Sequence, residues 1–185
     1  MKKMFFLIAA WLFCMPLVSR AQADDGKGMF VELNIGHAHT YYHDDDGVYT
    51  ILSPRLGYQF NDRWSAGIKY IGEINNDLQY HTGGIYAQYN FWQKNRFKTF
   101  VEGAFTLGVA EEGLDGGNDD GTDLEAGFSF GASYTLSNHF NLLLRYLYVG
   151  FSHSVRVHQK ACWGDHNFIL DANLSRLQIG VQYIF

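Results

Sequence analysis

The sequence predicts an all-β fold, a closed up-and-down barrel of eight antiparallel strands. Three observations carry that expectation. Apolar and polar residues alternate with period two in eight segments; aromatics make up 17% of the chain, with 20 glycines and only 2 prolines; and short connections alternate with long ones. No segment shows the 3.6-residue period of an amphipathic helix.

The chain opens on different chemistry. Lys2 and Lys3 precede an apolar run from Met4 to Val18, and Ala21-Gln22-Ala23 is a small-x-small cleavage site before Asp24. Residues 1–23 therefore read as a secretory signal peptide, with cleavage after Ala21 as the near alternative, and 24–185 as one barrel domain. Cys14 would leave with the signal, and with Trp11-Leu12-Phe13 before it the thiol does not read as a lipoprotein acceptor. Cys162 alone would remain, so no disulfide within the mature chain is expected. Losing Lys2, Lys3 and Arg20 from 14 basic residues leaves 11 against 19 acidic ones, a charge of about −8. Nucleic acid is not expected as a partner at that sign.

Strands are expected at 29–39, 49–60, 64–72, 82–92, 97–109, 123–136, 140–152 and 171–185. The first runs up to His37 and His39, and the second enters a tight turn at Asn61-Asp62-Arg63. In the third, Trp64, Ala66, Ile68 and Tyr70 face one way and Ser65, Gly67 and Lys69 the other. The fourth and fifth flank a second tight turn, Gln93 to Arg96. The sixth sets Leu124, Ala126, Phe128, Phe130, Ala132 and Tyr134 against Glu125, Gly127, Ser129, Gly131 and Ser133. The seventh follows the third tight turn, Ser137-Asn138-His139, and carries Leu143, Arg145 and Leu147 on one face. In the eighth, Leu177, Ile179, Val181, Tyr183 and Phe185 alternate with Arg176, Gln178, Gly180 and Gln182.

After the signal no apolar run approaches the ~20 residues of a membrane helix. Alternating strands can still face lipid, or they can face a ligand cup as in a lipocalin. Aromatic placement decides between the two. Tyr58, Phe60, Trp64, Phe91, Trp92, Phe97, Tyr134, Phe140, Tyr183 and Phe185 gather within a few residues of the tight turns or the C-terminus, forming a ring at one end of the cylinder. A membrane interface favours that ring, and a ligand cup has no use for it. The connections at 40–48, 73–81, 110–122 and 153–170 are long and polar, the layout of an outer-membrane barrel with short turns in the periplasm and long loops outside.

PRLGYQF (54–60) entering a tight turn, and GVQYIF (180–185) ending in Phe, resemble the small eight-stranded outer-membrane proteins of the OmpA-barrel and OmpX type, the porin family of outer-membrane β-barrel domains. The resemblance covers the mature chain in layout. It implies insertion by the barrel assembly machinery, with Tyr183 and Phe185 as the assembly signal. Unlike full-length OmpA proteins the chain stops at the barrel, so wall anchoring through a peptidoglycan-binding domain is not expected.

An eight-stranded barrel has an interior just wide enough for side chains to fill. Glu32, Arg55, Lys69, Glu102 and Arg145 share inward parity and similar height above the turn end. If Phe60 pairs with Trp64, Arg55 falls opposite Lys69, a like-charge pair in need of carboxylates. Glu32 and Glu102 are the acids available, and Gly131 opposite Arg145 leaves room for the guanidinium. With Leu143 and Leu147 also inward, a charged plug in a dry lumen is expected.

Residues 37–46 read HAHTYYHDDD, imidazoles and carboxylates that a transition metal could use. His37, His39 and His43 are the candidate ligands, supplemented by His153, His158, Cys162, Asp165 and His166 from the last outer loop. The stretch falls on the outer rim, and loops of this length seldom hold ligands and their supporting shell in place. Weak divalent bridging to lipopolysaccharide phosphates suits the acidic loops better. Ser152-His153-Ser154 is the one candidate for a lipid A-modifying enzyme, but a deacylase pattern resembles His-x-Ser-Asn, with both side chains on one face. His153 and Ser154 are adjacent and face opposite ways. The expectation is a monomeric, non-catalytic outer-membrane protein without cofactor, structural or adhesive through its outer loops. Its partners would be outer-membrane lipid, lipopolysaccharide and an extracellular ligand.

Overall fold

The computed structural model describes residues 27–42, 45–74, 78–112, 122–153, 168–172 and 177–185. The expected signal peptide lies outside them. Nine strand segments follow in order: β1 (Gly28–Tyr42), β2 (Asp45–Gln59), β3 (Trp64–Ile74), β4 (Leu78–Lys94), β5 (Phe97–Glu112), β6 (Thr122–Thr135), β7 (Phe140–His153), β8 (Phe168–Asp171) and β9 (Gln178–Ile184). Each of the first seven pairs antiparallel with the next, β8 and β9 both pair with β7, and β9 pairs with β1. The sheet thus closes on itself as eight staves, the last made of β8 and β9.

Turn chemistry sets the register. Phe60 N–H donates to the Trp64 carbonyl at 2.9 Å, while Asn61 Oδ1 accepts from the backbone of Arg63 and Trp64, each at 2.9 Å. This side-chain turn starts β3 with Trp64 outward. Between β4 and β5 two residues suffice, and Asn95 takes a φ of 55°, the left-handed conformation that a tight hairpin demands and asparagine tolerates.

The barrel is inverted relative to a water-soluble domain. Glu32, Asn34, Ser53, Arg55, Glu102 and Arg145 are buried, whereas Ile68, Ile85, Phe128 and Phe151 are among the most exposed side chains, Ile85 at 62%. Exposed apolar walls on this scale call for lipid, since water would leave them unburied. Tyr58, Phe60, Trp64, Phe91, Trp92, Phe97, Tyr134 and Phe140 are all exposed at the short-turn end, a girdle at one interface.

The structure departs from the sequence expectation in three places. The strands run past the membrane: β1 and β2 pair out to Tyr42 and Asp45, and β4 pairs with β5 from Leu78 and Glu112. Much of the expected outer loops is therefore ladder. Backbone pairing thus continues where hydrophobic alternation in the sequence has ended. The eighth strand, expected unbroken from 171 to 185, is split: Asp171 sits opposite Tyr148 and Gln178 opposite Arg145, so seven residues' advance on one side meets three on the other. Finally Leu147, expected inward, stands opposite Phe130 on the lipid face. A bulge at Tyr146, between the pairs Gly131/Arg145 and Phe130/Leu147, reverses the parity of β7 above Arg145.

Candidate functional site

Three neighbouring staves, β1 to β3, and two others, β5 and β7, send their charges to a single point in the lumen. Arg55 on β2 stands opposite both Glu32 on β1 and Lys69 on β3. The structure brings these three together with Glu102 of β5 and Arg145 of β7. Glu102 is wholly buried; its Oε2 accepts from Arg55 Nη1 at 2.6 Å and Arg145 Nε at 2.9 Å, and its Oε1 from Lys69 Nζ at 3.3 Å. Glu32 Oε1 receives Arg145 Nη1 at 2.9 Å and lies 3.5 Å from Arg55 Nε. Two carboxylates thus hold three cations, and in so confined a space each charge depends on its partners.

Sequence reasoning missed the residues that orient these charges. Asn34, two positions above Glu32 with the same parity, donates to Glu32 Oε1 at 2.8 Å and to the Ser53 carbonyl at 3.1 Å, while its Oδ1 accepts from Arg145 Nη1 at 2.8 Å. Its inward parity was the available signal. The guanidinium carbons of Arg55 and Arg145 lie 5.3 Å and 5.2 Å from the ring centres of Tyr86 and Phe100, a cation over an aromatic face in each case.

Directly below, toward the short turns, the lumen is apolar. Phe30, Phe100 and Leu143 lie two residues beneath Glu32, Glu102 and Arg145, and all three are buried. Gly131 accounts for part of this layer: a Cβ there would collide with the Phe100 ring. The space expected for the Arg145 guanidinium is taken instead by the ring on which that guanidinium rests. A charged layer thus rests on a hydrocarbon layer inside the cylinder.

This closed wall, with lipid-facing apolar residues and a polar core, matches the model of the outer membrane protein beta-barrel domain over residues 5–185. The chain belongs to that family. As an outer-membrane β-barrel domain it resides in the cell outer membrane. Among solved structures it is similar to Neisserial surface protein A, with a TM-score of 0.62 at 18% identity over 85% of this chain and 97% of that one. At that identity the likeness concerns the fold. No curated protein matches the chain.

The other candidate residues of this barrel domain are dispersed. Tyr183 meets Phe140 at 4.9 Å and Phe185 at 5.1 Å between ring centres, the second pair edge to face. His37 is exposed on β1; the His39 side chain and the whole of His43 lie outside the described residues, as do His158, Cys162, Asp165 and His166. Among the described residues no group of three potential ligands converges. Register sets Ser152 opposite Glu125 and His153 opposite Leu124, while the side chains of Ser152 and His153 and the whole of Ser154 lie outside the described residues.

Proposed function

We propose that this protein is a non-conducting, non-catalytic component of the outer membrane that acts through its outer loops, as a structural or adhesive surface element. The observation that carries the reading is the ion-paired layer around Glu102 seated on Phe30, Phe100 and Leu143. A solute path would have to break five ion-pair contacts and displace two phenyl rings. What remains available for recognition is the outer end, where the paired strands rise beyond the bilayer and the connections are rich in Asp and Glu. Lipopolysaccharide is the nearest partner there, through divalent cations shared between loop carboxylates and its phosphates, and the protein acts as a monomer. Tyr183 and Phe185 serve the assembly machinery.

Two measurements test this reading. Mature protein reconstituted in planar bilayers should give no stable conductance, and steady openings that pass sugar-sized solutes would refute the plug. Calorimetry with zinc and copper should give weak heats without defined stoichiometry. A single tight site, lost on His39→Ala and His43→Ala, would replace the structural reading by metal capture.

A further inference from the structure

The outer wall of the barrel carries a groove of about 930 Å3 between β3 and β8. Its floor is made of small residues in one cross-strand row: Ala66 is opposite Ala87, and Ala87 opposite Gly103. Ile85 and Phe105, paired with each other two residues higher, form its upper side, and Phe128, opposite Gly103, ends the small-residue row; all three are exposed to the bilayer. Hydrogen-bonded rows cross tilted strands obliquely, so the groove climbs as it circles the barrel. At its low end Ala66 is two residues above the girdle residue Trp64; at its far end Val149 is nine above the girdle residue Phe140.

The low end is basic. Trp64 and Tyr89 pair on the girdle with ring centres 4.7 Å apart, and Arg63 Nη1 donates to the Tyr89 hydroxyl at 3.4 Å, which places the guanidinium just under the groove. Lys94 and Arg96, both exposed, occupy the neighbouring turn end. Across these two turns the only acid is Asp62. Asp45, Asp46, Glu73, Glu111 and Glu112 lie on strand ends at the opposite end of the barrel.

We propose that this groove binds an anionic glycerophospholipid of the inner leaflet, with its phosphate at Arg63 and Lys94 and one acyl chain laid along Ala66, Ala87 and Gly103. The assignment rests on the short turns facing the periplasm and is independent of what the outer loops meet. A chain in the recess touches protein on its floor and along the Ile85 and Phe105 side, gaining contacts that a lipid against a convex wall lacks. The cations select the headgroup, at about fivefold preference for each one engaged. A second copy of this chain is a poorer occupant. Barrels inserted in the same sense and meeting through this face about a two-fold axis would bring Arg63, Lys94 and Arg96 of both copies together, a like-charge contact.

Trp64 reports on the site directly. In the mature protein, Trp92→Phe and Trp163→Phe leave it as the one tryptophan. This variant is folded into phosphatidylcholine vesicles containing either phosphatidylglycerol or phosphatidylcholine brominated along the acyl chain. The brominated anionic lipid should quench Trp64 at a mole fraction about 25-fold lower than the zwitterionic one, about fivefold for each of Arg63 and Lys94. Arg63→Gln with Lys94→Gln should abolish the difference. Ala87→Leu, which fills the floor, should weaken quenching by the anionic lipid while heat-modifiable gel migration confirms that the barrel is folded. Equal quenching by the two lipids in the parent, or an undiminished preference in the charge variant, overturns the proposal. Cross-linked dimers that Ala87→Leu disperses would overturn it in favour of a protein contact.

Discussion

Replacing Glu102 by Ala should lower the stability of the vesicle-folded barrel by about 3–5 kcal/mol, the cost of breaking a buried ion pair by removing one partner. The magnitude follows from position. Glu102 is wholly buried and meets Arg55, Lys69 and Arg145 at 2.6, 3.3 and 2.9 Å, so its loss leaves Arg55 and Arg145 to share Glu32 and strips Lys69 of its ion pair with Glu102. Glu102→Gln should behave almost as badly, because the amide keeps the shape and discards the charge. Adding Lys69→Met to Glu102→Gln should recover part of the loss by removing one stranded cation. Urea unfolding followed by gel migration measures all three variants. A Glu102→Ala midpoint indistinguishable from the parent would mean that the lumen is wet enough to solvate these charges singly.

Deleting Phe185 should have a large effect in cells and a small one in the test tube. The residue donates its backbone N–H to the Met29 carbonyl at 2.9 Å, clasping the start of β1, and its ring stands edge to face on Tyr183. An aromatic pair of that geometry contributes about 0.5–1.5 kcal/mol, so refolding into vesicles should survive the deletion. If Tyr183 and Phe185 also form the signal read by the assembly machinery, the amount inserted in cells should fall severalfold. The paired measurement separates the roles: unchanged insertion in cells would leave Phe185 as a girdle residue only.

How much of this could be read from the sequence depended on what each residue faces. Within the bilayer one side of every strand meets lipid and the other the lumen, so alternation was strong and the positions of Trp64, Phe97 and Phe140 marked the inner interface. The same parity counting found Glu32, Arg55, Lys69, Glu102 and Arg145. It failed where a residue's neighbours, rather than its parity, decide the outcome. The bulge at Tyr146 turned Leu147 outward with no glycine or proline to announce it. Asn34 belongs to the charge cluster because of where Arg145 reaches across the barrel, a contact between residues 111 positions apart. The extent of β1 and β2 out to Tyr42 and Asp45 was invisible for a different reason: backbone hydrogen bonds hold a ladder without leaving a hydrophobic trace in the sequence.

The split last stave also has a kinetic side. Every other junction joins strands that follow one another along the chain, as β1 does β2 through a 15-residue ladder. The junction that turns the sheet into a cylinder joins Phe30 to Ile184 and runs through the 7-residue β9, ending at Gly36 and Gln178. Hairpins of near neighbours close short loops and form early, whereas this junction must gather nearly the whole chain before its first bond. It is therefore the last to form on the way in. Held by seven pairs, it is also the junction whose opening turns the cylinder back into a sheet, a latch at which the lifetime of the closed barrel is set.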